Sequence, residues 1–302
     1  MRALLLYNPN ATTTTPAVTE VIARALSADL KLDVEATKRR DHASFLAAGA
    51  AHEGYEVVVV LGGDGTVNEV VQGLARTDVR LAIIPGGSTN VWARTLGLPD
   101  DPVEATAAVL AMLRERRERV VNLGTANGRY FTFHAGYGFD AAVVRDVERR
   151  YRLKQTVRQA SFLYCGALAW LRGAHRRGPA ITLRVPGAEP LEGLRTVVTC
   201  NCDPYTYLGR RPAQLCPEAS LDAGLDVVSF ARLSLPTLVR IMRAALQGGD
   251  VAKVGGVRRQ HDLAELELEA TGPVPLQVDG DYVGDTDHVQ LTSVERALRV
   301  VA

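Results

Sequence analysis

Five apolar residues, Val57-Val58-Val59-Val60-Leu61, run straight into Gly62-Gly63-Asp64-Gly65-Thr66, and helical spacing follows from Val67 to Leu74. A β-branched run of this kind suits a strand buried on both faces. Glycines let the backbone turn and approach a ligand without Cβ clashes. A loop that feeds a helix N-terminus offers free N–H groups and the positive end of the helix dipole to an anion. Asp64 adds a carboxylate to that loop. A phosphate site with its own acid points to a nucleotide handled with a metal or a proton acceptor. The alternative reading is a tight strand-to-helix turn without a ligand.

The flanking sequence repeats this grammar. Leu4–Tyr7, Leu32–Ala36, Val57–Leu61 and Leu81–Pro85 read as strands. Pro16–Leu30, Ala43–Ala51, Val67–Leu74, Asn90–Leu96 and Pro102–Arg117 read as helices. The βαβα order predicts a doubly wound α/β domain with a parallel sheet. Ligands of such sheets sit beyond the carboxyl ends of the strands. Asn8-Pro9-Asn10, Gly62–Thr66 and Gly86–Asn90 all fall there, so three loops are predicted to meet on one rim. After Asn122 short alternating runs take over: Tyr130–Ala135, Ile181–Val185, Thr196–Cys200, Asp226–Phe230, Ala264–Glu269 and Leu276–Val278, with turns at Pro186-Gly187 and Gly272-Pro273. A mainly antiparallel second domain is predicted, interrupted by helices over Ala141–Ala174 and Pro236–Leu246. The domain boundaries are 1–121 and 122–293.

A net charge of +1 argues against a dedicated nucleic-acid binder. Only four of the 35 basic residues are lysines, and none stands in a Gly-Lys-Ser/Thr context, so there is no Walker A loop. Cys165, Cys200, Cys202 and Cys216 follow no signal-peptide pattern and read as reduced thiols of a cytoplasmic protein. Cys200-x-Cys202 with Cys216 lacks a fourth ligand at zinc-site spacing. No apolar run reaches the ~18 residues of a membrane span. Arg145, Arg149, Arg150, Arg152, Lys154 and Arg158 flank the aromatic stretch Ser161–Leu171. That pattern fits either peripheral contact with an anionic membrane or a helix packed on the second domain with a basic solvent face.

Further motifs stand in order along the chain: Asn8-Pro9-Asn10 before four threonines, Glu35-Ala36-Thr37-Lys38-Arg39, Pro85-Gly86-Gly87-Ser88-Thr89-Asn90-Val91, Leu221-Asp222-Ala223-Gly224-Leu225-Asp226 and Gln277-Val278-Asp279-Gly280-Asp281. Together with Gly62–Thr66 they make nearly the whole chain resemble the diacylglycerol kinase catalytic family, which includes bacterial lipid kinases and the sphingosine and ceramide kinases. NAD kinases share a similar Gly-Gly-Asp-Gly-Thr loop.

The resemblance implies a NAD kinase-like nucleotide-binding domain, a β-sandwich lipid-substrate domain, and a C-terminal tail, 294–302, returning to the first. It implies an ATP- and Mg²⁺-dependent lipid kinase that converts diacylglycerol to phosphatidic acid. The alternatives are another lipid alcohol such as a sphingoid base, NAD, or a regulator without turnover. Asn8, Pro9, Asn10, Thr37, Gly62, Gly63, Asp64, Gly65, Thr66, Asn68, Glu69, Ser88 and Asn90 would bind the nucleotide. Each threonine after Asn10 serves equally as an N-cap, and Thr37 equally as part of a solvated turn. Asp281 or Asp279, helped by Asp64, would accept the hydroxyl proton, and Asp64 would hold the catalytic Mg²⁺. Asp281 stands where the family has Glu, about 1.5 Å shorter in reach. Val91 replaces a family Asp. Ala223 replaces the family's structural Mg²⁺ ligand, leaving Asp222 or Asp226 as substitutes. The implied partners are a lipid at the membrane surface, with peripheral contact at its inner face, and a second copy in a homodimer.

Overall fold

The structure, a computed structural model, describes residues 1–151 and 179–302. The chain divides into two units, Met1–Leu123 with Glu295–Ala302, and Gly124–Val294.

The first unit runs β1 (Arg2–Tyr7), α1 (Pro16–Ser27), β2 (Lys31–Ala36), α2 (His42–His52), β3 (Val57–Gly62), α3 (Asp64–Leu74), β4 (Arg80–Pro85), α4 (Val91–Thr95) and α5 (Pro102–Arg114). β1 pairs with both β2 and β3, and β3 pairs with β4, all parallel. Every residue of β3 is buried, as its unbroken apolar run requires, whereas the edge strand β2 exposes much of its length. The chain crosses one way from β1 to β2 and the other way from β2 to β3. The strand order therefore reverses at β1 and β3, which makes their carboxyl ends the switch point where such sheets bind ligands. α1 packs on α5 and α2 on α3, one helix pair for each face of the doubly wound sheet. Caps fix the helix starts: Thr15 accepts from Val18 N above Pro16, and Asp101 accepts from Val103 N and Glu104 N above Pro102.

β5 (Arg119–Ala126) carries the chain into the second unit. There β6 (Arg129–Phe131), β7 (His134–Gly138), α6 (Phe139–Tyr151), β8 (Ile181–Arg184), β9 (Leu191–Leu194), β10 (Thr196–Cys200), β11 (Thr206–Leu208), β12 (Arg211–Ala213), β13 (Leu225–Phe230), α7 (Leu235–Gln247), β14 (Val257–Leu263), β15 (Glu265–Val278) and β16 (Asp281–Val300) follow. The order β14-β13-β10-β7-β15-β16 is antiparallel throughout, and β8 and β9 extend it from β15. This is the β-sandwich-like arrangement. Thr196–Cys200 is buried on both faces: Val197 enters a core with Phe131, Tyr137 and Leu266, while Val198 and Cys200 enter a second core with Phe230, Ile241 and Cys216.

One turn departs from the sequence expectation. Gly272-Pro273 does not end a strand. β15 runs through it, with the register against β16 shifting between Glu269 and Val274, which is where a sheet tolerates Pro. The tail is the end of β16 and belongs to the first unit, where its Arg299 and Val300 pair in parallel with Arg80 and Leu81 of β4. Of the helix expected over Ala141–Ala174, only the part within α6 lies among the described residues. Most of the basic-aromatic stretch after it, with Cys165, lies outside them.

Candidate active site

At the switch point the three rim loops are in contact. Asn8 N donates to Leu61 O at 3.1 Å, Gly86 N to Gly62 O at 2.8 Å, and Thr13 N to Gly86 O at 3.1 Å. Asn8 Nδ2 donates to Thr66 Oγ1 at 3.2 Å, and Asn8 Oδ1 accepts from Asn10 N at 2.9 Å. Pro9 and Asn10 are exposed beside them. Thr37 closes the far end of the rim, its N–H on Tyr7 O at 2.9 Å.

The glycines are needed for a different reason than a turn. None of Gly62, Gly63, Gly65, Gly86 and Gly87 has positive φ. Gly63 is extended, with φ −87° and ψ 179°, and it caps α3. What the motif demands is closeness. A methyl on Gly62 would lie 2.8 Å from Thr66 Cβ, one on Gly86 3.0 Å from Gly62 Cα, and one on Gly87 2.7 Å from Gly63 Cα. Two Gly-Gly pairs thus pack backbone on backbone.

The loop is also shorter than the sequence suggests. α3 begins at Asp64, so Asp64, Gly65 and Thr66 form its first turn, where N–H groups lack intrahelical partners. Asp64 Oδ1 accepts from Trp92 N at 3.3 Å, joining this turn to α4. Asn90 sits at φ 49°, a left-handed conformation that Asn tolerates. Its amide holds the second loop closed: Oδ1 accepts from Gly87 N at 2.9 Å and Nδ2 donates to Gly87 O at 3.1 Å. Nδ2 also donates to Asp100 Oδ1 at 2.9 Å, a partner with no signal of its own in the sequence. Ser88 is exposed at the tip. Of the threonines, Thr15 is the N-cap of α1 and Thr14 is buried beside Gly86.

Two residues expected at the nucleotide are engaged elsewhere. Asn68 is 1% exposed and accepts from Gln72 Nε2 at 3.2 Å. Glu69 accepts from Ala43 N at 3.1 Å and so caps the start of α2. Both follow from helix geometry, since α3 starts three residues earlier than expected and turns them away from its N-terminus.

In the second unit Asp279-Gly280 forms the two-residue hairpin between β15 and β16, with φ of 49° and 80°. This is the type I′ turn that Asp-Gly favours. Asp279 is not placed as a base. Its Oδ2 accepts from Thr132 N and Thr132 Oγ1, both at 2.8 Å, and its Oδ1 from Phe133 N at 3.0 Å and His134 N at 3.2 Å. Four donors occupy the acceptor sites of the carboxylate, so Asp279 staples the turn to the segment joining β6 and β7. Asp281, the first residue of β16, is half-buried. Below it lies a polar chain the sequence did not announce. Gly280 N donates to Gln277 Oε1 at 2.8 Å, Gln277 Nε2 to Asp140 Oδ2 at 2.9 Å, and Tyr205 Oη to Asp140 Oδ1 at 2.5 Å. Desolvation raises Asp140, and desolvation together with the Asp140 charge raises Tyr205.

Of the two substitutes for the structural Mg²⁺ ligand that the resemblance implies, Asp222 and Asp226, only Asp226 stands among other candidate ligands of the described residues. Ala223 offers only a methyl group and Asp222 is exposed. Among the described residues the group that could hold a metal contains Asp226: ligand atoms of Glu218, Asp226 and His261 all lie within 4.8 Å of one another. There His261 Nδ1 is 2.6 Å from Asp226 Oδ1, which also accepts from Asp262 N.

Comparison with known proteins agrees with this geometry. Residues 2–126 match the diacylglycerol kinase catalytic domain, and residues 134–302 match the YegS C-terminal NAD kinase beta sandwich-like domain. The chain is 33% identical to a diacylglycerol kinase of Staphylococcus aureus, covering 100% of this chain and 92% of that one. It is 30% identical to a Pseudomonas aeruginosa protein carrying the name YegS-like lipid kinase, covering 87% and 82%. The crystal structure of a diacylglycerol kinase from Bacillus anthracis superimposes with a TM-score of 0.73 at 20% identity, over 99% of this chain and 96% of that chain. A rim of paired Gly-Gly loops at the switch point, a β-sandwich-like second unit and matches spanning both lead to one conclusion: the chain belongs to the diacylglycerol kinase family of lipid kinases.

Proposed function

We propose that this lipid kinase transfers the γ-phosphoryl group of ATP to the hydroxyl of diacylglycerol, giving phosphatidic acid and ADP. The observation that carries the nucleotide half is the contact between Gly62-Gly63 and Gly86-Gly87, which leaves no room for a Cβ. Bare backbone at a helix start is suited to phosphate. Asn8, Asn10 and the N–H groups of the first turn of α3 hold the phosphates in this reading. Asp64, an oxygen donor on the same turn, suits Mg²⁺, which supplies charge neutralisation at the phosphates when bound. Asp281 accepts the proton as the acceptor oxygen bonds to the γ-phosphorus and the bond to the β–γ bridging oxygen breaks. Asp279 and the Gln277–Asp140–Tyr205 chain hold the turn that carries Asp281. Catalysis is then positioning and electrostatics, as is usual for phosphoryl transfer.

The acceptor is the open choice. Relatives named diacylglycerol kinase favour diacylglycerol, and the relative named only as a lipid kinase favours a second reading, a lipid alcohol such as a sphingoid base. The test is transfer from γ-labelled ATP to mixed micelles of diacylglycerol or sphingosine, with NAD as a control, beside Asp64→Ala. Label in diacylglycerol, lost in the variant, supports the first reading. Label in sphingosine alone replaces it with the second, and label in NAD alone overturns both.

A further inference from the structure

α7 carries two apolar faces where packing needs one. Ile241 and Ala245 are buried, with Leu238 and Leu246 packed beside them against the core of β10 and β13. Yet Leu235, Val239 and Met242 are 53%, 59% and 42% exposed. Their four- and three-residue spacing aligns them as one ridge along the helix. A helix that needed only to cover the core would carry polar residues here.

Along this segment the charge has one sign. From Ala231 to Gly249 the sequence contains no Asp or Glu, and it contains Arg232, Arg240 and Arg243, all exposed. α7 packs against β12, with Gln214 N on Ala245 O at 2.9 Å. The hairpin that ends in β12 adds exposed Arg210 and Arg211. The patch is thus an apolar ridge bordered by guanidinium groups.

Three occupants can be weighed. A second copy docking ridge to ridge would bring one arginine-bordered surface against another, like charge against like. Nucleic acid would satisfy the arginines and leave the ridge in water. An anionic phospholipid bilayer satisfies both, since the acyl boundary takes the apolar side chains and the headgroups take the guanidinium groups. We infer that α7, with the Arg210-Arg211 hairpin, is the surface by which this protein docks on anionic membranes. The choice of a bilayer rests on the lipid-kinase reading; the ridge and its charge do not.

The test is co-sedimentation of the full chain with phosphatidylcholine vesicles, with and without phosphatidylglycerol. Variants are Val239→Glu/Met242→Glu for the ridge and Arg240→Gln/Arg243→Gln for the charge. Wild type is expected to bind the anionic vesicles and to be released by salt. Each Arg near the surface is worth about fivefold in partitioning, so the arginine double variant should lose about 25-fold. The ridge variant should lose at least as much. Wild-type binding by either variant, or no binding by the wild type, overturns the proposal, as does a change of oligomeric state in place of vesicle binding. Phosphorylation of a water-soluble short-chain diacylglycerol, measured in parallel, should be equal in all three proteins. Its absence from the wild type would count against the kinase reading while leaving the vesicle result to judge the surface.

Discussion

Gly63 and Gly87 pack backbone against backbone, so that a methyl on Gly87 would stand 2.7 Å from Gly63 Cα and 2.9 Å from Asn90 Oδ1. Neither neighbour is the free end of a flexible side chain. Gly87→Ala is therefore expected to push the rim loops apart at a cost of about 1–3 kcal/mol. Thermal denaturation should show a lower midpoint, and titration with ATP should show weaker binding. An unchanged midpoint with unchanged affinity would mean the loops are not in contact.

The two aspartates of the β15–β16 hairpin should separate cleanly. Asp279→Asn keeps a residue that tolerates positive φ but turns an amide N–H₂ toward the donors on one side of the carboxylate. Leaving buried donors unsatisfied costs about 1–3 kcal/mol, so this variant should lose stability. Asp281→Asn should lose less thermal midpoint than Asp279→Asn and lose phosphoryl transfer by about 10²–10⁴-fold, the usual weight of a general base. The reverse pattern would exchange their roles.

Gln277 links Gly280 to Asp140 with both ends of its amide. Gln277→Leu leaves Gly280 N and one oxygen of buried Asp140 without these partners. The expected result is a fall in thermal midpoint, together with a drop in kcat larger than any change in the KM for ATP, because the turn carrying Asp281 loosens. A variant with wild-type kcat would show that the chain does not position the turn.

Acid should weaken the second unit through His134. Its ring meets Tyr205 at a tilt of 39° with centroids 4.3 Å apart, and burial pushes its pKa down to about 3. The unfolded chain takes up the proton near 6.5 while the folded chain does not. Stability from this group is therefore complete above 6.5 and lost as pH falls toward 3, at up to about 1.4 kcal/mol per pH unit. Asp203 acts in the opposite sense. Desolvation raises it to about 6 from 3.8, so its contribution is complete below 3.8 and lost as pH rises through 6. Between pH 4 and 6 the two contributions oppose each other, so denaturant titrations should show that, relative to wild type, His134→Phe gains stability and Asp203→Asn loses stability as pH falls. Parallel profiles in all three proteins would contradict both assignments.

Much of this architecture could be read from the chain because its signals are local. The β-branched run Val57–Leu61 before a Gly-rich loop suits an interior strand, the threonines before Pro16 suit a helix N-cap, and the motifs in order point to the family. Asp279-Gly280 is itself a local turn signal, since two positive φ angles in succession favour that dipeptide. What each polar group in those motifs touches was decided by tertiary structure alone. Asp279 is filled by donors from Thr132 to His134, Glu69 caps a helix that begins 27 residues earlier, and Asn90 reaches Asp100. Even the glycines proved to serve contact between two loops and not a turn within one. Dihedral preference and hydrophobic period act between near neighbours along the chain. Which donor fills an acceptor, and where a Cβ has no room, depends on segments that meet only once the sheet order is set.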